Sequence, residues 1–456
     1  MPMYFVKFEV IPTEHNAQHS MLQGALAHCW IIEHTEIAAY NKARFSILRE
    51  EWEITATEEF PVEVTEEDFE DRNIGLAQFK KAQENGIAIA YVGWSRDGKT
   101  SAGPVQLERS HKFDLNAYVG KLKKLAGAGR CLHFDRGSQC GEIISAHSIQ
   151  KNGQLSAITN DGRVYTVTKN IGIIKKNTGR LVLEKHGIGK VSTFLGFCKE
   201  HDNQLFAPID TSPLHPTDEQ VLLYAYRSIC RELFVKENAL VFIDSQLAEL
   251  PTTSTARQFF EDLKAGTTFG LANLREQKIA LDASLKSKNY TDIEYVLFTC
   301  RQPQFLAFSG LFFPEYDFLG RQLQDLADQT WKLDLLTISS ASMYQGWGFL
   351  FAWHKSSSIA CREFMRSLAT VMHEDNSSAS DAMFRTVVSN CENLAFSPAW
   401  WEALPAEQQD AVTAHLSHGA DIFTPLDPEY LIKGLEGVCQ WRFEAVHANP
   451  ERMART

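Results

Sequence analysis

Two residues of types that bind metal ions stand close together in the stretch FCKEHDNQLFAPID. Cys198 and His201 are three residues apart, where the pattern indicates the start of a helix. One helical turn brings residues at this spacing to the same side, so a thiolate and an imidazole could bind one ion. The helix dipole would also favour a thiolate at that end. The pair is therefore predicted to be half of a metal site.

The other half is expected in the upstream stretch CLHFDRGSQCGEIISAHSIQ. Zinc prefers four ligands in a tetrahedron, drawn from Cys and His side chains. With four protein ligands and no open position, the predicted Zn²⁺ is structural. Its predicted ligands are Cys131, Cys140, Cys198 and His201. The role of His147 stays open between a free imidazole, a replacement zinc ligand and a polar residue satisfied in the core.

The order of these residues resembles the ββα-metal motif of the HNH endonuclease superfamily, whose zinc-bearing members form a treble clef. That family shows a cysteine pair, then a histidine on a strand, then a second ligand pair that opens a helix. By this resemblance, His147 followed by Ile149 matches the general-base histidine, and Asn203 matches the asparagine of the helix. The resemblance covers about residues 128–210, and the rest of the chain resembles uncharacterised bacterial proteins.

The resemblance implies a metal-dependent endonuclease that acts on DNA or RNA. His147 would be the general base for a water that attacks a phosphodiester. A Mg²⁺ or Mn²⁺ ion, held near His147 by Asp202 or Asn203, would stabilise charge on the phosphate and on the leaving oxygen. By fold-level analogy with other HNH-like effectors, a role in bacterial defence or in conflict with mobile DNA is expected.

The sequence departs from the family pattern around this histidine. Ala146 stands where the family usually has an acidic residue, and Gln150 replaces the usual proline. About fifty residues separate His147 from Cys198, so the hairpins between them would be an insertion. The alternative function is therefore a non-catalytic, zinc-stabilised scaffold that binds protein partners.

Charge is unevenly distributed along the chain. The net charge is −12, yet residues 111–200 contain fifteen Lys and Arg against six Asp and Glu. That balance of +9 leaves −21 for the remainder and indicates contact with a polyanion. The acidic flanks instead favour a protein partner, bound through the N- or C-terminal domain. The predicted nucleic-acid-binding residues are Lys151, Lys175, Lys176, Arg180 and Lys199.

Composition favours a cytoplasmic protein without membrane contact. The 44% hydrophobic and 22% charged residues are typical of soluble globular proteins. The start, MPMYFVKFEV, has neither a basic head nor a long apolar run, and the longest apolar stretches are too short to span a bilayer. The nine scattered cysteines make a poor disulfide framework.

The periodicities predict an α+β protein with three domains, because 456 residues exceed one ordinary core. Residues 1–105 are expected to form a small docking or regulatory domain. Residues 112–210 are the basic zinc module, with one hairpin predicted from QLSAI and RVYTV and another from IGII and RLVLE. Residues 211–456 are expected to be a helical domain that contains an antiparallel sheet.

The C-terminal domain carries no recognisable motif. A helix is predicted to begin there with Thr217 as N-cap and Gln220 as its capping-box partner. The stretches EYVLFTC and QFLAFSGLFF are separated by RQP and are predicted to pair as a hairpin. A third possible function is that this sheet domain is itself an enzyme, to which the zinc module presents substrate.

Overall fold

The computed structural model describes residues 2–34, 36–69, 73–95, 124, 127–137, 140–167, 181–249, 255–326, 328–374, 376–419 and 426–449. These residues form helices together with three antiparallel sheets, which confirms the predicted α+β class. Among them, no helix combines the length and apolar character needed to cross a membrane.

The N-terminal part is a four-stranded antiparallel sheet with one helix packed on each face. Its strands and helices are β1 (Met3–Pro12), β2 (Leu22–Ile32), α1 (Glu36–Arg49), β3 (Trp52–Val64), α2 (Asn73–Asn85) and β4 (Ile87–Ser95), with a 3₁₀ turn at Glu66–Phe69. The strand order is β3-β1-β2-β4. Alternate side chains of β1 point to opposite faces. Tyr4, Val6 and Phe8 pack in the core with α1, whereas Met3 and Phe5 pack in the core with α2.

The predicted metal-binding residues surround a short ββα unit, which comprises β5 (Ile143–His147), β8 (Thr193–Cys198) and helix α3 (Lys199–Leu205). The two strands pair antiparallel with each other and with no third strand among the described residues. Helix α4 (Ala207–Asp210) follows directly. A two-stranded ladder is marginal on its own, so the unit must be stabilised by what it binds or packs against.

The largest element is an eight-stranded antiparallel sheet, ordered β14-β9-β12-β11-β10-β13-β6-β7. Its strands are β6 (Arg163–Val167), β7 (Leu183–Gly187), β9 (Ile293–Cys300), β10 (Leu306–Phe312), β11 (Leu336–Ser342), β12 (Trp347–His354), β13 (Leu394–Phe396) and β14 (Ala445–Ala448). The central strands are buried almost continuously instead of alternating. Both faces of the sheet must therefore be covered.

Helices cover both faces of this sheet. They are α5 (Asp218–Glu249), α6 (Thr255–Ser287), α7 (Ser358–Glu374), α8 (Asn376–Asn390), α9 (Pro398–Trp401) and α10 (Ala406–Gly419), with a 3₁₀ turn at Lys355–Ser357. Helices α5 and α6 pack on one face, and α7, α8 and α10 contribute to the core on the other. The predicted cap of α5 is present, since the Gln220 amide donates to the Thr217 hydroxyl over 3.3 Å.

The first half of α5 is buried on all sides, from residue 220 to residue 231. One side packs on the sheet through residues such as Leu350, and the other packs on the ββα unit through Phe194 and Phe197. A helix that is apolar all round is a core helix, and here two layers share it.

The core runs across the boundary predicted at residue 211. Strands β6 and β7 come from the predicted zinc module but extend the sheet of the C-terminal part, with Tyr165 paired to Phe396. Gln154 is buried and accepts a hydrogen bond from the hydroxyl of Ser340. The two predicted domains therefore share one sheet and one core.

The hairpin predicted from QLSAI and RVYTV is wrong. QLSAI is helical, within a π turn at Lys151–Leu155 that runs into a short helix at Ser156–Ile158. Leu155 and Ile158, three residues apart, are both buried in one cluster, and this spacing suits a helix. RVYTV is strand β6, and it pairs with β7. The stretch IGII lies outside the described residues.

The hairpin predicted from EYVLFTC and QFLAFSGLFF is also wrong. Both stretches are strands, β9 and β10, but β12 and β11 lie between them in the sheet. β9 pairs with β12 and β14, while β10 pairs with β11 and β13. Adjacent strands in the sequence are here separated in space because both are apolar on two faces and either could occupy the interior of the sheet.

Leu350→Ala should lower the free energy of unfolding by about 2–5 kcal/mol, because it leaves a cavity between the sheet and α5. The matched control is Leu319→Ala, at a leucine that is 47% exposed, with an expected change within about 0.5 kcal/mol. Denaturant unfolding followed by circular dichroism measures both. Equal losses in the two variants would contradict the packing of α5 described above.

Candidate metal centre

The junction of β8 and α3 places Cys198 and His201 on one side. Cys198 ends the strand with an extended backbone, and the helix begins at the next residue. The amide of Lys199 donates to the carbonyl of Glu142 over 2.9 Å, which ties this junction to the chain before β5. His201 then follows one turn into the helix, as predicted from the spacing.

Two backbone hydrogen bonds bring Cys131 beside the same strand. The Arg130 amide donates to the Leu195 carbonyl over 2.9 Å, and the Leu132 amide donates to the Gly196 carbonyl over 2.8 Å. Cys140 reaches the site from a turn in which its amide donates to the Gly137 carbonyl over 3.0 Å. The amide of Gly137 in turn lies 3.5 Å from the Cys140 sulfur.

The predicted proximity of all four ligands is confirmed. The ligand atoms of Cys131, Cys140, Cys198 and His201 all lie within 4.8 Å of one another. Nδ1 of His201 is 3.4, 3.6 and 3.3 Å from the sulfurs of Cys131, Cys140 and Cys198 respectively. A tetrahedral zinc with bonds of about 2.3 Å to sulfur and about 2.0 Å to nitrogen separates these atoms by about 3.5 Å. The four side chains are therefore close enough to hold a metal, with the spacing that zinc requires.

The site is enclosed by protein. Cys131, Cys198 and His201 are buried and Cys140 is half-buried. Burial raises the pKa of the Cys131 thiol to about 11. A bound dication would stabilise the thiolates in this place, and four protein ligands leave no position for a substrate. The chemistry of this donor set is that of a structural centre.

Sequence reasoning missed two residues that support the centre. The ring of His133 stacks on His201, with 4.0 Å between ring centres and 6° between ring planes. Arg130 donates to Glu237, Asn238 and the carbonyl of Phe234 over 3.0–3.1 Å. These contacts fasten the metal-binding segment to α5. His133 stands two residues after Cys131, and this is the one signal that the sequence offered.

His147 lies at the end of β5, outside the cluster of four ligands. Its Nε2 is 3.0 Å from the carbonyl of Ile188. A donor Nε2–H leaves Nδ1 as the acceptor of the neutral ring. Burial lowers the pKa of His147, the charges of Lys151 and Arg227 lower it further, and Asp210 opposes them. The imidazole is thus held in one orientation and kept neutral.

The structure places the other two predicted catalytic residues on α3. Asn203 is exposed, while Asp202 is half-buried and its Oδ1 has no hydrogen-bond partner among the described residues. Burial raises the pKa of Asp202 to about 6, against the opposing charge of Arg227. Within the described part of the chain, no second group of three or more His, Cys, Asp or Glu side chains is close enough to hold an ion.

Only part of the predicted basic surface can be located. Lys151 and Lys199 are exposed, the first just after the His147 strand and the second at the start of α3. Arg163 and Lys190 are exposed in the same segment of the chain. The predicted residues Lys175, Lys176 and Arg180 lie outside the described residues.

The purified protein is expected to contain about one equivalent of zinc. Cys198→Ser should lose most of it, because the remaining three ligands cannot complete the tetrahedron. Cys361→Ser is the matched control, since this cysteine is equally buried but lies in the core on the far face of the sheet. Elemental analysis measures the metal, and zinc retained by both variants would contradict the site.

Comparisons with protein-family models, with curated proteins and with solved structures each found no match to this chain. The candidate metal centre accordingly rests on the identity and spacing of its four ligands.

Proposed function

We propose that the chain is a zinc-stabilised, HNH-like endonuclease in which His147 is the general base. Zn²⁺ bound by the four ligands would hold the ββα unit together and take no part in the reaction. The observation that carries the proposal is the placement of His147 at the end of β5, beside β8 and α3, with its ring bonded to the carbonyl of Ile188. This is the position and orientation that a general base in such a unit requires.

The proposed reaction is hydrolysis of a phosphodiester. Nδ1 of His147 takes a proton from a water molecule, and the water oxygen forms a bond to phosphorus. The bond from phosphorus to the leaving oxygen breaks, and that oxygen takes a proton from solvent. Burial supports this role because it lowers the pKa of His147, so the base is unprotonated at neutral pH.

A divalent ion would complete the proposed site. The buried Oδ1 of Asp202 lacks a hydrogen-bond partner among the described residues and is a suitable ligand, and Asn203 follows it on the exposed side of α3. Mg²⁺ and related ions commonly use one or two carboxylates, with waters and substrate phosphate filling the other positions. When bound, such an ion supplies charge stabilisation at the phosphate.

The proposed substrate is DNA or RNA bound through its phosphate backbone. Lys151 and Lys199 are exposed near the two ends of the ββα unit, and Lys151 is close enough for its charge to lower the pKa of His147. Contacts of this kind give affinity with little sequence reading. A role in defence against mobile DNA remains an expectation from the resemblance alone.

A second candidate is a zinc-stabilised scaffold that binds partners without cutting nucleic acid. The observation in its favour is that the four-ligand cluster is the one metal-binding group among the described residues. Under this function, His147 is a polar residue satisfied by the carbonyl of Ile188.

His147→Ala should reduce Mg²⁺- or Mn²⁺-dependent nicking of plasmid DNA by about 10²–10⁴-fold, because the base is lost. The zinc content should stay the same, since His147 is not a ligand of the cluster. His186→Ala is the control, at an exposed histidine of β7. Absence of nicking by the unaltered protein, or equal rates in both variants, would support the scaffold instead.

Reversing both Lys151 and Lys199 to Glu should weaken DNA binding and make it less dependent on salt, by roughly one unit of log–log slope per lost phosphate contact. The control reverses Lys80 and Lys81, two exposed lysines of α2, and changes the net charge by the same amount. Gel shifts at several salt concentrations measure the slope. An equal effect of both double variants would mean that overall charge, and not this surface, governs binding.

A further inference from the structure

A buried pair of opposite charges joins α4 to α5. Arg227 donates from Nη1 to one carboxylate oxygen of Asp210 over 2.8 Å and from Nη2 to the other over 2.6 Å. The guanidinium also lies 4.0 Å from the centre of the Phe206 ring. The side chain of Arg227 is 4% exposed and that of Asp210 is 36% exposed. A bidentate and stacked arginine has one orientation, so it also fixes the carboxylate.

Gln150 ties this pair to the strand end that carries His147. Its side-chain amide donates to the carbonyl of Ile209 over 2.8 Å and to that of Asp210 over 3.1 Å. Gln150 is itself buried and stands three residues after His147. The end of α4 is thereby held against the segment that follows β5, with the Asp210 carboxylate at a partly exposed position.

The charges of the pair act on the imidazole in opposite directions. Burial is the largest cause of the lowered pKa of His147, and Arg227 adds to it, while Asp210 raises the pKa. Lys151, in the helical turn after β5, also lowers it. The loop between β7 and β8 packs against the ring through the Ile188 carbonyl, and its Lys190 side chain is exposed.

We propose that Arg227 and Asp210 are positioning residues of the His147 site, which is therefore assembled from the ββα unit and from α5 together. The cation keeps the imidazole unprotonated before reaction, and the carboxylate stabilises the imidazolium that forms when His147 takes the proton. As a statement about catalysis this rests on the function proposed above. As a statement about the surroundings of His147 it stands without it.

The protonation of His147 in the full-length chain tests the proposal. Arg227→Gln removes the cation and leaves Asp210 unopposed, so the pKa of His147 should rise by about half a unit or more. Asp210→Asn removes the anion, so the pKa should fall. Proton–carbon NMR of labelled histidines gives the titration curves, and His147→Gln assigns the signal.

Arg231→Gln is the matched control. Arg231 lies one turn further along α5, is similarly buried, and is paired with Glu232. Its loss should cost comparable stability but leave the titration of His147 unchanged. Arg227→Lys keeps the charge without the bidentate geometry, so it should preserve the pKa of His147 while lowering the nicking rate about tenfold or more.

Opposite shifts in the Arg227→Gln and Asp210→Asn variants, absent in Arg231→Gln, are the expected result. The low-pH limb of the nicking profile should move in the same directions. Shifts of the same sign, or an equal shift in the control, would overturn the proposal. If the unaltered protein does not nick DNA but the opposite shifts appear, the proposed nuclease function fails and the assignment of the charged pair stands.

Discussion

Helix α5 fills the space between the ββα unit and the eight-stranded sheet, and both layers depend on its burial. The two paired strands and short helix of the unit cannot enclose a core of their own. Their apolar residues, such as Phe197 and Phe206, are buried against α5, whose opposite side packs on β11 and β12. Polar contacts follow the same path, because Arg130 anchors the metal-binding segment to α5 and Arg227 anchors α4 to it.

The metal centre and the His147 site occupy different parts of the ββα unit. The ligands gather where β8 meets α3, whereas His147 lies at the opposite end of the ladder, paired with Thr193. An ion bound at the first position would fix the relative placement of strand and helix, since it joins Cys131 and Cys140 to both. The second position would then keep its geometry without touching the ion. This division lets one small unit combine a closed structural centre with a histidine that is open to chemistry.

The four ligands could be predicted because Cys and His in local clusters have few roles and because a three-residue spacing on a helix fixes direction. The surroundings of His147 could not, since the Ile188 carbonyl comes from a loop forty-one residues away and Arg227 from another predicted domain. The same limit applies to QLSAI, whose helical form depends on burial of Leu155 and on the bond between Gln154 and Ser340. The existence of β9 and β10 followed from their apolar residues, but their separation in the sheet depends on the strands between them.

The insertion between His147 and Cys198 also has a consequence for solubility. It sends β6 and β7 to the end of the large sheet, where β6 covers the fully buried β13. The outermost strand, β7, is only partly buried and includes Glu184, Lys185 and His186. Charged outer strands discourage pairing with strands of other molecules. A shortened chain without this insertion would expose the apolar margin of β13 and offer a template for aggregation, so the insertion protects the sheet even though it is remote from the metal.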